Sequence, residues 1–321
     1  MKNTFIYFIK LSLLIPFLFQ PAKAENPGYG IVNLSVINLR VVPLFSSEMG
    51  TQALLGTPVP ILEKDHGWYK LMTPDGYIAW TTDESVKKMS LPEYHTWNQS
   101  PKLIIRSYFS VLRSKPSENS DIVSDVVLGD IVRYQGKTGK YFKILLPDGR
   151  NAYLLKSSPS PLKQWFISHQ PSAKNIISMA KQFIGFPYLW GGTSVKGMDC
   201  SGFTKTCFYL NGVLLARDAS QQAQTGEKID ITPNLIKLQP ADLLFFGSIK
   251  EGKKQISHVA IYIGNGYFIH SSGTVHISSL KSGNIRYDAY NAGRLLYARR
   301  ILTRINKDSG IISIQKHPFY R

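Results

Sequence analysis

The first half of the chain contains a repeat, and this repeat constrains the fold more than any other feature of the sequence. The segment LRVVP…YIAW aligns without a gap with the segment LRSKP…NAYL, 73 residues further on. Arg40 matches Arg113 and Asp75 matches Asp148 in this alignment. Each copy alternates short strand-forming runs with Gly, Pro and Asp-Gly turns, which is typical of small all-β barrels. The sequence therefore predicts two successive barrels.

The second half of the chain has a different pattern. A stretch rich in Pro and Ser near residues 157–166 indicates a linker. Apolar residues at helical spacing, closed by a glycine, predict a helix over residues 175–185. A second helix and the strand-like runs ADLLFFG, HVAIYIG, GYFIHSS and RLLYARRIL follow, so we expect an α+β domain. The predicted organisation is an export signal (1–24), a first barrel (25–92), a second barrel (93–160), a linker (161–171) and an α+β domain (172–321).

The N-terminus has the pattern of a signal peptide. Lys2 begins a short basic region, the apolar stretch 11–19 follows, and Ala22-Lys23-Ala24 gives the small-x-small pattern of a cleavage site. The apolar stretch is shorter than the ~20 residues that span a bilayer. We therefore expect a protein exported to the periplasm or the cell exterior, with an uncleaved anchor as the alternative.

The formal charge of +17, from 38 basic and 21 acidic residues, favours polyanionic partners. An exported chain meets acidic cell-wall polymers sooner than nucleic acid. The basic residues are dispersed and carry no nucleic-acid motif, so we expect no nucleic-acid partner. A solvated basic surface without a dedicated partner is the alternative reading. We expect a monomer.

The chain has only two cysteines, Cys200 and Cys207. The pattern DCSGFTKTCFYLNGV predicts one helix from an Asp cap to an Asn-Gly stop. Seven residues of helix separate the two Cα atoms by ~10 Å, which exceeds the ~7 Å that a disulfide tolerates. We therefore predict two free thiols, with Cys207 packed in the core and Cys200 in a functional role.

Cys200 has the sequence context of a nucleophile. Asp199 is placed to cap the helix, so that Cys200 lies in the first helical turn. There the free backbone N–H groups and the positive end of the helix dipole favour a thiolate. A nucleophile of this kind needs a base from elsewhere in the fold.

Two histidines are candidates for the base and its orienting partner. In SHVAIYIGNGYFIHSS, a three-residue turn would pair Ile263 with Tyr267 and place His270 opposite Ala260. His258 and His270 would then share a face as diagonal neighbours, with His258 as general base and His270 fixing its tautomer. A one-residue change of register would separate them. A zinc site is the alternative, but no CxxC or HxxxH pair supports it, and we predict no metal or cofactor.

The segment FPYLWGGTSVKGMDCSGFTK, together with ARDASQQAQTG, ADLLFF and HVAIYIGNGYFIHSS, resembles the NlpC-type cell-wall cysteine peptidases over about residues 172–305. The two barrels resemble bacterial SH3-like domains. Together they are similar to the branch that cleaves γ-D-glutamyl-L-diamino acid bonds in free murein peptides. The resemblance implies a papain-like α+β fold and an acyl-enzyme mechanism. The family positions are filled by Tyr188, Trp190, Asp199, Cys200, Ser201, Arg217, Asp218, His258 and His270.

The resemblance also implies roles for these residues. Cys200 would attack the γ-carbonyl of D-Glu, and His258 would protonate the leaving amine of the diamino acid. The backbone N–H of Cys200, with Tyr188, would hold the oxyanion. Asp199, Ser201, Trp190 and Arg217 would line or support the substrate groove. A thiolate and a protonated histidine together would give a bell-shaped pH profile around neutrality.

In that branch, acids and a tyrosine hold the free ammonium of the N-terminal L-Ala. Asp218 matches one acid, and Tyr77 and Glu48 of the first barrel are candidates for the other groups. An ordinary turn tyrosine and a solvated acid are the alternatives. Some members have Ser directly after the Asp, whereas Ala219 precedes Ser220 here, so the contact of Ser220 to the D-Glu α-carboxylate is in question.

Other functions stay open at this point. The same scaffold serves amidases or acyltransferases that act on intact peptidoglycan, and a wall-binding protein with a relict catalytic domain is a further alternative. The sequence does not distinguish Lys from diaminopimelate at the third peptide position.

Overall fold

The computed structural model describes residues 28–231 and 235–321. The predicted signal peptide, residues 1–24, lies outside the described residues. Three units follow one another along the chain, two all-β units and an α+β unit, so the predicted α+β class is confirmed. Within the described ranges, no helix is long and apolar enough to cross a membrane.

The first unit is a seven-stranded antiparallel sheet with the order β3-β2-β6-β5-β4-β1-β7. Burial alternates along β2 and β5; in β2, Ile37 and Leu39 enter the core, while the intervening Asn38 is exposed. The hydrogen-bonded order runs from one edge strand to the other and does not close into a complete ring. The strands are β1 (Gly28–Val32), β2 (Val36–Arg40), β3 (Met49–Leu54), β4 (Pro58–Asp65), β5 (Trp68–Met72), β6 (Ile78–Thr82) and β7 (Val86–Met89), with a short 3₁₀ turn at Asp83–Ser85.

The second unit repeats the first. Its order, β10-β9-β13-β12-β11-β8-β14, is the same when each strand is matched to its counterpart, and β9 to β13 begin and end 73 residues after β2 to β6. The gapless repeat in the sequence therefore corresponds to a repeated structure. The strands are β8 (Lys102–Ile105), β9 (Phe109–Arg113), β10 (Ile122–Val127), β11 (Ile131–Thr138), β12 (Tyr141–Leu145), β13 (Asn151–Leu155) and β14 (Pro159–Pro161).

A buried carboxyl group joins the two units. The backbone N–H of Leu55, in the first unit, donates to Asp130 Oδ1 at 3.2 Å, and the N–H of Val127 donates to Oδ2 at 2.8 Å. Burial raises the pKa of Asp130 well above its ordinary value. The N–H of Ile131 donates back to the Leu55 carbonyl at 2.9 Å, so the two units are fixed to each other by backbone as well as side-chain contacts.

The segments that connect the units are helical. Helix α1 (Leu91–Gln99) joins the two SH3-like units, and α2 (Leu162–Ser168) follows the second. We expected residues 161–171 to form a linker, but Trp165 and Phe166 of α2 are buried in the core of the third unit. The indole N–H of Trp165 donates to the Leu210 carbonyl at 2.8 Å. The burial of two adjacent aromatic side chains makes this segment part of the third unit.

The third unit packs helices against a six-stranded sheet of order β18-β23-β19-β20-β21-β22. Helix α4 contacts β20 and β21, and its buried Phe203, Cys207 and Phe208 fill the core. The helices are α3 (Ala173–Gln182), α4 (Cys200–Tyr209), α5 (Ala219–Gln222) and α6 (Ala289–Ala292), with 3₁₀ turns at Ile314–Lys316 and Pro318–Tyr320. The strands are β15 (Thr193–Ser194), β16 (Gly197–Met198), β17 (Val213–Leu215), β18 (Glu227–Ile229), β19 (Leu243–Lys250), β20 (Lys253–Gly264), β21 (Tyr267–Ser272), β22 (Thr274–Ser279), β23 (Leu295–Arg300) and β24 (Ile311–Ser313).

The hairpin between β20 and β21 sets the register of the two histidines. The predicted pairing of Ile263 with Tyr267 is wrong, because Gly264 pairs with Tyr267 across a two-residue Asn265-Gly266 turn, both of whose φ angles are positive. A bulge between Tyr262 and Gly264 absorbs the extra residue, and Ile261 pairs with Ile269. The strand register beyond the bulge is therefore the one that the sequence predicted.

Candidate active site

The start of α4 has the predicted cap. Asp199 accepts a hydrogen bond from the backbone N–H of Gly202 at 2.7 Å, and Cys200 is the first residue of the helix. Cys200 and Cys207 are both free, as the helical spacing predicted, and both are buried. Burial, followed by the charge of Asp199, raises the pKa of the Cys200 thiol to about 11. The thiolate that we expected from the helix dipole is therefore not the resting form.

The two histidines lie in direct contact. His258 Nε2 is 2.8 Å from His270 Nδ1, so Nδ1 of His258 is the nitrogen left for proton exchange. Burial lowers the pKa of His258 to about 4 and that of His270 to about 2. Both imidazoles are therefore neutral at pH 7. The backbone N–H of Val259 is among the donors that lower the pKa of Cys200, which places the middle of β20 beside the sulfur.

Ser278 completes this chain of contacts. Its Oγ lies 3.1 Å from His270 Nε2, and it is buried on β22 opposite Phe268. If Ser278 Oγ accepts a hydrogen bond from the Nε2–H of His270, then His270 Nδ1 accepts a hydrogen bond from the Nε2–H of His258. The lone pair on His258 Nδ1 is then free to take a proton. Our sequence reasoning missed Ser278. The alternating run TVHISS after the second histidine was the available signal, because it predicts a further strand beside β21.

Asp199 and Ser201 are held by a buried arginine. Arg217 pairs with both oxygens of Asp199, and its Nη1 donates to Ser201 Oγ at 3.0 Å. Burial acts to lower the pKa of Arg217, but the charge and hydrogen bonds of Asp199 outweigh it and raise the pKa. Asp199 also accepts from the backbone N–H of Gly191 at 2.9 Å. Asp199, Ser201 and Arg217 therefore lie inside the domain and brace the start of α4.

Tyr188 lies close to the nucleophile. Burial, then the charges of Cys200 and Asp199, raise the pKa of its phenol to about 12. It stays a hydrogen-bond donor across the physiological range, as an oxyanion contact requires. Ser220, in contrast, is exposed on α5, and its side chain makes no hydrogen bond within residues 28–231 and 235–321.

Four residues from two units meet at one end of the groove. The indole N–H of Trp190 donates to Glu48 Oε1 at 2.7 Å. Burial, then the charge of Asp218, raises the pKa of Tyr77, and Glu48 contributes in the same direction. Asp218 is half-buried, and burial raises its pKa. Two candidates from the first SH3-like unit, Glu48 and Tyr77, therefore lie with Trp190 and Asp218 of the third.

Close packing fixes this arrangement. Gly191 has φ +78, and a Cβ built on it would lie 2.1 Å from the Met49 carbonyl oxygen. Gln52 Oε1 accepts from the Thr193 N–H at 3.0 Å and from Ser194 Oγ at 2.9 Å. The first unit therefore packs directly against the segment that runs from Trp190 to Ser194, shortly before Cys200.

No group of three or more His, Cys, Asp or Glu side chains within the described ranges is arranged to hold a metal ion. A thiol, two imidazoles and a phenol that donates hydrogen bonds are the groups that acyl transfer through a thioester requires.

Comparison with known proteins gives two family matches. Residues 185–294 match the NlpC/P60 family, and residues 39–86 match the bacterial dipeptidyl-peptidase Sh3 domain. A γ-D-glutamyl-L-lysine dipeptidyl-peptidase of Bacillus cereus is 31% identical over 234 residues, which cover 70% of this chain and 68% of the relative. A protein of the same name from Bacillus subtilis is 31% identical over 232 residues, covering 70% of this chain and 72% of the relative.

A solved structure agrees with these matches. The crystal structure of an NlpC/P60 family protein from Bacillus cereus superposes with a TM-score of 0.70 at 25% identity and covers 85% of this chain and 99% of that one. The protein is therefore a cysteine peptidase. Within that class, it belongs to the NlpC/P60 family, as the sequence resemblance predicted.

Proposed function

We propose that this protein is an exported endopeptidase of cell-wall peptides that hydrolyses the γ-D-glutamyl-L-diamino acid bond. Its substrates are murein peptides with a free N-terminal L-Ala. Two relatives that are 31% identical over 70% of this chain are named γ-D-glutamyl-L-lysine dipeptidyl-peptidase, which supports the bond assignment.

The observation that carries the proposal is the cluster of Glu48, Tyr77, Trp190 and Asp218. Two carboxylates and a phenol oxygen at one end of the groove suit an ammonium group, which has three donors and one positive charge. Two members of this cluster, Glu48 and Tyr77, come from the first unit, and in our proposal they form the end wall of the substrate groove. A peptide that continued beyond L-Ala would meet this wall and would leave the acids without their cation.

The catalytic steps follow from the neutral Cys200 and His258. His258 Nδ1 takes the thiol proton as the sulfur attacks the γ-carbonyl of D-Glu. The oxyanion is held by the Cys200 backbone N–H and the Tyr188 hydroxyl. The tetrahedral intermediate collapses to a thioester, and the His258 imidazolium gives its proton to the leaving amine. His258 then takes a proton from water as the water oxygen attacks the thioester, and it returns this proton to the departing Cys200 thiolate, which releases the acyl product and regenerates the thiol.

A comparison of two peptides tests the proposal. L-Ala-γ-D-Glu-L-Lys and its N-acetylated form are incubated with the protein, and the products are measured by mass spectrometry. Acetylation should lower kcat/KM by about 10² because it removes a charge contact worth ~3 kcal/mol. Asp218→Asn should remove most of this preference, while Asp230→Asn, which changes an exposed acid outside the cluster, should keep it. Equal cleavage of both peptides by the unaltered protein would refute the proposed specificity.

A further inference from the structure

Arg294 is held in a fixed position beside His258. Its Nη1 donates to Ser257 Oγ at 3.1 Å, and Ser257 directly precedes His258. Its Nε donates to Asn291 Oδ1 at 3.1 Å, and its guanidinium lies 4.3 Å from the centre of the Tyr290 ring. Two hydrogen bonds and a cation–π contact therefore restrain this side chain.

The positive charge of Arg294 is not neutralised by a neighbour. Within residues 28–231 and 235–321, the guanidinium forms no ion pair and its Nη2 has no hydrogen-bond partner. Asp288 does not pair with it, because its carboxylate accepts from the backbone N–H and side chain of Asn291. A half-buried, oriented guanidinium with a free donor is a ready site for a carboxylate, which it binds in a planar geometry.

The position of Arg294 assigns it to the leaving-group side of the groove. Glu48, Tyr77 and Asp218, which suit the ammonium of the acyl part, form a separate cluster. His258 delivers its proton to the leaving nitrogen, so the leaving diamino acid lies next to His258. The charge of Arg294 acts on His258, which is consistent with their proximity.

We propose that Arg294 binds a carboxylate of the leaving diamino acid and so determines specificity on that side of the scissile bond. This inference rests on the proposed function. Two carboxylates have the required chemistry: the C-terminal α-carboxylate, present when the peptide ends at the diamino acid, and the side-chain carboxylate of a diaminopimelate-type residue. Lysine offers only the first.

Four peptides distinguish these sources: L-Ala-γ-D-Glu followed by L-Lys or by meso-diaminopimelate, each with a free or an amidated α-carboxyl group. For the unaltered protein, amidation of the lysine peptide should lower kcat/KM about tenfold, chiefly through KM, because a charge-assisted hydrogen bond is lost. Arg294→Gln should remove this difference. Arg286→Gln, which changes an exposed arginine of the same segment, should keep it and serves as the matched control.

The diaminopimelate peptides identify the carboxylate. If amidation slows cleavage of the lysine peptide but not of the diaminopimelate peptide, the side-chain carboxylate of diaminopimelate also reaches Arg294. If amidation slows cleavage of both peptides, the α-carboxylate is the ligand of Arg294. Equal rates for all four peptides would overturn the inference and leave the proposed function standing. An equal loss on all four in Arg294→Gln would also overturn it, since Arg294 would then only support His258. No hydrolysis of any peptide by the unaltered protein would overturn the proposed function and this inference together.

Discussion

Replacing Gly191 with alanine should separate the first SH3-like unit from the groove. Gly191 follows Trp190, has φ +78, and lies against the backbone of Met49. A Cβ at this position would be 2.1 Å from the Met49 carbonyl oxygen, whereas Cβ contacts below 3.0 Å are essentially never found. Because the atom in the way belongs to the backbone and cannot rotate aside as a side chain would, the two units would have to move about 1 Å apart.

The cost of Gly191→Ala has two parts. Placing a Cβ on a left-handed backbone costs ~1 kcal/mol. The movement also disrupts the hydrogen bonds of Gln52 to Thr193 and Ser194, at about 1 kcal/mol each, and the contact of Trp190 with Glu48. The expected loss in the free energy of unfolding is about 3 kcal/mol, with a rise in KM for free-amine peptides.

Gly185→Ala is the matched control. Gly185 has φ +89, but a Cβ built there has no atom within 4 Å, so the substitution adds the backbone strain without the collision. Urea unfolding should give a loss of ~1 kcal/mol for Gly185→Ala, and its KM should not change. Equal losses of stability and equal KM values in the two variants would refute the role we assign to this contact.

Three further predictions concern the catalytic residues. Cys200→Ala should abolish hydrolysis with the fold intact by circular dichroism, while Cys207→Ala retains activity; the reverse result would contradict the mechanism. The active form has a protonated Cys200 thiol and a neutral His258, and this form exists above the pKa of His258 and below the pKa of Cys200. Because burial lowers the first pKa and raises the second, the acidic limb of the kcat/KM profile should lie below pH 6.5 and the basic limb above pH 9.0. Limbs at pH 6.5 and 9.0 would refute this interpretation. Ser278→Ala should lower kcat about tenfold at unchanged KM, and Ser278→Thr, which keeps the hydroxyl, should restore kcat. If Ser278→Ala lowered kcat further in a protein that already carries His270→Ala, Ser278 would not act through His270.

The features that the sequence predicted well depend on local patterns. The repeat has constant spacing, the cap and stop around α4 are within one helix, and the two histidines depend on one hairpin. The hairpin prediction had the wrong turn, yet its register held because the bulge near Ile263 absorbed one residue.

The features that the sequence did not predict depend on distant packing. Residues 161–171 have a linker's composition, and only the core reached by Trp165 makes them helical and buried. The raised pKa of Cys200 results from its burial, and the sequence pattern of a helix does not show how deeply a residue is buried in the folded protein. Arg294 lies 36 residues after His258, and only the folded sheet brings it to Ser257.

In the proposed mechanism, the nucleophile comes from one domain and part of the substrate wall comes from another. Glu48 and Tyr77 belong to a duplicated unit whose second copy carries Asp121 and Arg150 at the matching places. Because these positions lie outside the domain that holds Cys200 and His258, the proposed roles imply that substitutions in the copied unit change which peptides are accepted without altering the two residues proposed to break the bond. Duplication of a small β unit thus gives this scaffold a way to evolve selectivity separately from catalysis.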